Sequence, residues 1–311
     1  MKKFLNEAVD FVDEMLDGIY LAHPQLTFVN DDRRCMVLAE RKSGKVGIAT
    51  GGGSGHLPLF LGYVGEGMLD GAAVGGVFQS PSAEQMNEVT KAIDQGAGVL
   101  YIYGNYSGDL INFDMAAELA DLDGITVKQV GNDDIASSVV GEEHKRRGVA
   151  GIFFVFKVVG AAAAESVSLD EVTRIADKAR VRTRTMGVAL SSCIVPEIGH
   201  ATYSIADDEM ENGMGIHGEP GISRRPLAKA DKVVDEMMER IFAEQKLGPG
   251  QREAEAVIRR GHVERHMSTE PRRSAALCLP QWRTFAPVAL HRPLRPSSHV
   301  AEVLSPSSCL A

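Results

Sequence analysis

Short apolar runs, several of them ending in glycine, alternate along this chain with stretches of helical period. That alternation constrains the fold more than any other feature. Lys45–Thr50 runs straight into Gly51-Gly-Gly-Ser-Gly-His56. Ala72–Phe78, Gly98–Tyr103, Thr126–Val130, Ile152–Val155 and Met186–Leu190 are further strand candidates. Ser82–Gln95, Phe113–Ala120 and Glu165–Ala179 separate them with apolar residues at helical spacing, as do residues 4–19 near the start and Ala230–Gln245 later. Strands alternating with helices predict an α/β fold with largely parallel or mixed sheets. Past residue 190 the sequence turns loop-rich, so we expect two α/β domains, over residues 1–187 and 188–250, the second of them incomplete.

The incompleteness is inferred from a break in composition. Residues 1–250 hold 37 acids against 24 bases, whereas residues 251–311 hold 5 acids against 9 bases, all nine arginine. We expect this Arg/Pro/Ser-rich tail to be disordered. It is either a basic extension or the product of a reading-frame change near Gly250; the second alternative removes a strand and helices from the second domain. The net charge of −9 argues against nucleic acid or anionic membranes as partners. No apolar run approaches the ~18–20 residues of a membrane-spanning helix. Glu7, Asp10 and Asp13 interrupt what would be the core of a signal peptide. Cys35, Cys193, Cys278 and Cys309 share no CxxC or Cys/His ligand spacing, so they read as reduced thiols in a cytoplasmic protein.

Ligands of parallel sheets sit at the carboxyl ends of the strands. Three polar, glycine-bearing segments are candidates for such ends. Gly51–His56 fits neither a phosphate-binding GxxxxGK[ST] loop nor GxGxxG nor GxSxG. Gly51 to Gly55 make either an ordinary tight βα turn or a segment that permits close backbone approach to a small ligand, with N–H groups pointing at its oxygens. His56 closes that segment and can exchange protons near neutrality. Asp109 ends Tyr103-Gly-Asn-Tyr-Ser-Gly-Asp109, where an aspartate is either a helix cap or a base. His217 lies in Gly213-Met-Gly-Ile-His-Gly-Glu-Pro-Gly221, a backbone shaped to hold something close or a mobile loop. His56, Asp109 and His217 lack the short spacing common in metal sites, and we expect no metal.

Together these segments resemble the substrate-binding K subunit of the dihydroxyacetone kinase family. TGGGSGH (50–56), GNYSGD (104–109) followed by Asn112-Phe113, and EMENGMGIHGEPGI (209–222) followed by Arg224-Arg225 carry the likeness. GGVFQSPSA (75–83), RRGVAG (146–151) and the KVVGAAA run from Lys157 extend it in order. The resemblance covers about residues 1–250. It implies that His217 attacks the ketone carbon of dihydroxyacetone to form a covalent hemiaminal. The nucleophile must be neutral imidazole, so capture fails in acid, and glycerol, lacking a carbonyl, is excluded. It implies that Asp109 is the base for the terminal hydroxyl and that His56 binds the substrate oxygens and assists proton transfer. Gly52, Gly53, Ser54 and Gly104 then line the substrate.

The resemblance further implies no cofactor on this chain. ATP or ADP with magnesium, or a phosphotransferase relay, belongs to a separate L-type nucleotide-binding subunit, and the chain itself forms a homodimer. Two departures matter. Leu57 replaces a glutamate common in the family and Gly104 replaces a lysine of phosphotransferase-linked members. Both remove charge beside the ligand and add room or apolar surface, which makes a four-carbon ketose such as erythrulose an alternative substrate. A non-catalytic protein that senses dihydroxyacetone is a second alternative.

Overall fold

The computed structural model describes residues 4–131 and 135–244, together with the backbone of 254–259 and 298–304. The chain opens with helix α1 (Phe11–Ala22), then strands β1 (Leu26–Val29), β2 (Asp32–Leu38), β3 (Gly47–Ser54) and β4 (Gly71–Val77). Helix α2 (Ala83–Ile93), β5 (Val99–Tyr103), α3 (Ser107–Leu122) and β6 (Val127–Gly131) complete a six-stranded sheet of order β1-β2-β4-β3-β5-β6. Strands β4, β3, β5 and β6 run parallel, while β1 and β2 add an antiparallel edge.

Strand β3 is buried along its whole length because helices cover both faces of the sheet. Ile48 points into a cluster with Leu16 of α1 and with Phe156 and Val172 of α4 (Ile152–Ala164) and α5 (Leu169–Arg182). Ala49, on the other face, joins Met86 and Val89 of α2 and Phe113 of α3. Successive strand residues point to opposite faces, so one strand feeds two cores. Helix α2 starts at a capping box: Gln85 N–H donates to Ser82 Oγ, and Ser82 N–H donates to the Gln85 side chain.

The second sheet has the order β10-β11-β7-β8-β9. It comprises β7 (Thr183–Ala189), β8 (Glu209–Asn212), β9 (Ser223–Pro226), β10 (Ala254–Arg259) and β11 (Ser298–Leu304). Strands β10, β11 and β7 run parallel, and β7, β8 and β9 antiparallel. Helix α6 (Ala230–Glu244) packs Val233, Met237 and Ile241 on Met186, Val188 and Met210. The mixed α/β architecture is the one expected. Strands β10 and β11 lie in the tail, where the sequence offers no regular element; the rest of residues 251–311 lies outside the described residues.

Four local expectations are corrected. Ile152–Val155 is the first turn of α4 rather than a strand, since a short continuous apolar run does not distinguish a buried strand from a buried helix. Gly51–Gly53 belong to β3 rather than to a turn after it. Strands β1 and β2 stand where no element is expected, because Asp32-Arg-Arg-Cys-Met-Val-Leu38 shows no alternation. Cys35 is a free buried thiol, as expected, but Cys193 is disulfide-bonded.

Candidate active site

The three segments singled out by sequence meet at one cavity of about 300 Å³, lined by Gly53, Phe60, Phe78, Ser80, Tyr106, Gly108, Asp109 and His217. Two of its walls rest on the glycines of β3. A Cβ at Gly52 would overlap the ring of Phe60, and one at Gly53 would lie 2.7 Å from the Cα of Phe78. Phe60 and Phe78 both hold positive φ, 65° and 62°, in the left-handed region that bulky residues avoid. The glycines therefore stay in the strand because the Phe60 ring and the Phe78 backbone occupy the space their side chains would need.

His56 follows β3 and is 1% exposed. Its ring stacks on Phe78 at 4.5 Å and meets His217 edge-on at 4.8 Å. Ser54 Oγ is fully buried and has no hydrogen-bond partner among the described residues. Ser54 and Gly52 flank Gly53, which lines the cavity, without lining it themselves. Gly104 is also outside the lining: a Cβ there would stand 2.6 Å from the ring of Tyr106. The absence of a side chain at 104 thus brings in an aromatic wall rather than opening room.

Asp109 sits in the first turn of α3 and is 3% exposed. It does not cap the helix; Ser80 Oγ donates a hydrogen bond to its Oδ1. Ser80 is brought there by the loop between β4 and α2, which Asn112 fastens by donating to the Pro81 carbonyl at 2.7 Å. Burial raises the Asp109 carboxyl to about 6, with the Ser80 hydrogen bond and the charge of His217 pulling the other way.

His217 is carried by the β8–β9 hairpin, whose loop is closed by polar contacts. Glu211 accepts from Gly221 N–H at 2.8 Å and pairs with Arg224 at 2.8 Å. Glu219 accepts from His217 N–H at 3.0 Å, and its Oε1 lies 3.0 Å from His217 Nδ1. Arg147 stands 3.6 Å from the same carboxylate. Burial of Glu219 works against its charge, but His217, a backbone N–H and Arg147 outweigh burial and hold the carboxyl down at about 2. An ionised carboxylate only accepts hydrogen bonds, so Nδ1 carries a proton, and in the neutral form of the ring the lone pair is then on Nε2. A cavity bearing a buried carboxylate and an imidazole with a free Nε2 can add a nucleophile to a carbonyl and take a proton from a hydroxyl.

Sequence reasoning found His56, Asp109 and His217 but not Ser80, Phe60, Phe78, Tyr106 or Glu219. Glu219 had a readable signal, an acid two residues past the histidine in the same glycine-rich loop. The aromatic walls had none, since each is placed by a glycine elsewhere in the chain. Among the described residues no group of three or more His, Cys, Asp or Glu side chains could hold a metal ion, and no helix is long and apolar enough to cross a membrane.

The Dak1 domain family matches residues 17–262. The chain is 46% identical over 251 residues to the dihydroxyacetone-binding subunit DhaK of PTS-dependent dihydroxyacetone kinase 1 from Listeria innocua, covering 80% of this chain and 76% of that protein. It is 40% identical over 254 residues to D-erythrulose kinase of Mycolicibacterium smegmatis, covering 81% of this chain and 43% of that one. The solved dihydroxyacetone kinase from C. freundii in complex with AMP-PNP and Mg2+ is 35% identical with a TM-score of 0.74; the match covers 81% of this chain and 47% of that chain.

Proposed function

The chain belongs to the Dak1 family, and from that premise we propose that it is the ketose-binding subunit of a dihydroxyacetone (glycerone) kinase. The observation that carries this reading is the clamp of Glu219 on His217 Nδ1, which leaves Nε2 for a ketone in the cavity that Asp109 also lines. Nε2 attacks the carbonyl carbon and the C=O π pair moves to oxygen. His56 hydrogen-bonds that oxygen and passes it a proton, which water replaces on His56. The adduct's Nδ1 gives up its proton to water while Glu219 stays ionised, so one proton is gained and one lost and a neutral hemiaminal remains. Capture anchors the substrate at its middle carbon, so a terminal hydroxyl is presented to Asp109. Ser80 occupies one oxygen of Asp109 and the other takes the hydroxyl proton as the phosphoryl group arrives. Gly52, Gly53, Ser54 and Gly104 shape the cavity from behind by admitting and backing its walls.

The phosphoryl donor, ATP or ADP with magnesium or a phosphotransferase relay, comes on a partner subunit of the L type. A four-carbon ketose is the second reading, favoured by the three aromatic walls, which offer apolar contact to an extra carbon. The test is thermal unfolding with dihydroxyacetone, erythrulose or glycerol, since a ligand bound only by the folded form raises the midpoint. One ketone should raise it and glycerol should not, and His217→Ala should lose the shift. A shift by ketone that survives in His217→Ala sinks the covalent reading. Turnover with an L-type subunit and ATP separates an enzyme from a sensor, which binds ketone and yields no sugar phosphate.

A further inference from the structure

We propose that Tyr106 is a positioning residue for His217, and that the bare Cα of Gly104 is what admits it to that place. The inference rests on the reading of His217 as the ketone-capturing nucleophile and adds the residue that keeps its ring in register.

The Tyr106 ring meets the His217 ring edge-to-face, with centroids 4.5 Å apart and planes at 81°. It is the nearest aromatic neighbour of that imidazole; Phe78 stands at 5.4 Å and His56 at 4.8 Å. Glu219 fixes one ring nitrogen but leaves rotation of the imidazole about that hydrogen bond unopposed, so a wall is needed on the flank. Tyr106 is that wall, and it is itself held at three points. Its hydroxyl donates to the Gly148 carbonyl at 3.2 Å. Its ring lies over Gly104, where a Cβ would approach Cε2 to 2.6 Å. The preceding residue, Asn105, takes φ 58° and donates from its side chain to the carbonyls of His144 and Arg146, at 3.1 and 2.8 Å.

Gly148 closes the arrangement. Its N–H donates to the Gly104 carbonyl at 2.5 Å, and a Cβ on it would stand 2.9 Å from the Gly104 Cα. Two glycines thus bring two backbones into contact, and the ring of Tyr106 is laid across the junction. The hydrogen bonds of this clasp run to Gly148, His144 and Arg146, whereas Asp109 is held by Ser80, so loss of the clasp should loosen the nucleophile more than the base.

The experiment labels the histidine ring nitrogens with 15N and the carbonyl carbon of dihydroxyacetone with 13C. In the wild type His217 should show one Nδ1–H tautomer, with a nuclear Overhauser contact to the Tyr106 ring protons. Bound ketone should show its carbonyl carbon moved to the tetrahedral range. Tyr106→Leu should blur the His217 signals into exchange and weaken capture about tenfold, the scale of one aromatic pair. Tyr106→Phe keeps the ring and should restore a single His217 signal, with capture within about threefold of wild type. Gly104→Ala reaches the same defect from behind by displacing the ring. Absence of the Tyr106–His217 contact in the wild type overturns the proposal without any variant. So does a Tyr106→Leu protein with unaltered His217 signals and affinity. A wild type whose bound ketone keeps a trigonal carbonyl carbon instead overturns the nucleophile reading.

Discussion

The two sides of the cavity are held by different forces. On the sheet side, His56 and the phenylalanines are fixed by shape, with the Phe60 ring seated where Gly52 carries no side chain, the Phe78 backbone close against Gly53, and both phenylalanines held at positive φ. On the hairpin side, His217 is fixed by charge: Glu219, Arg147, Glu211 and Arg224 bind the loop to itself and to the rest of the protein. The comparison teaches where damage will be felt. Injury to the shaped side should destabilise the fold, whereas injury to the charged side should leave a folded protein in which His217, the proposed nucleophile, is misdirected.

The largest expected effect tests Asp109, the proposed base, which lies between the two sides. Asp109→Asn should still capture ketone but lose turnover by about 10²–10⁴-fold, the range for removing a positioned general base. A near-normal rate with the L-type subunit would remove Asp109 from that role. Next comes Gly52→Ala, which sets a methyl against the Phe60 ring inside a filled core. Overpacking of this kind costs about 1–3 kcal/mol, read as a lower urea midpoint at unchanged slope; an unchanged midpoint would break the claim that shape holds this side.

The smallest effect is in pH, and the two carboxyls oppose each other in sign. Folding raises Asp109 from 3.8 to about 6, so the folded form binds the extra proton between those values. Its contribution to stability is therefore greatest in acid and is lost as pH rises through about 6. Folding lowers Glu219 from 4.5 to about 2, so its contribution is present above 4.5 and is lost as pH falls towards 2. Urea unfolding at pH 7, 5 and 3 should thus show Asp109→Asn losing the part of the profile that climbs towards acid, and Glu219→Gln losing the part that falls. The same slope in both variants would erase the opposition between the two carboxyls.

Much of this was legible in the sequence, for physical reasons that differ by element. The strands β4 to β7 and the helices α2, α3, α5 and α6 follow from periodicity, because each buries a face or a whole run. His56, Asp109 and His217 stand out as chemically capable side chains in segments otherwise built for close backbone approach. What escaped was set by partners distant in the chain. Gly51–Gly53 look like a turn by local propensity, yet they run as strand because Phe60, Phe78 and Phe113 fill the vacancies. Ser80 has no local signal, and only the approach of α3 brings it to Asp109. Gly104 reads as added room, and the room is taken by Tyr106 two residues on.

The placement of His217 and Asp109 on separate elements has a stereochemical consequence. Dihydroxyacetone has two identical arms and a flat centre, so in water nothing tells the arms apart. A nucleophile approaching from the hairpin strikes one face only. A base on α3 then lies beside one arm of the adduct. On the proposed reading the mirror-related arms become inequivalent the moment the bond to His217 forms, and every turnover modifies the same one. A molecule without handedness thereby acquires a left and a right from the walls that hold it.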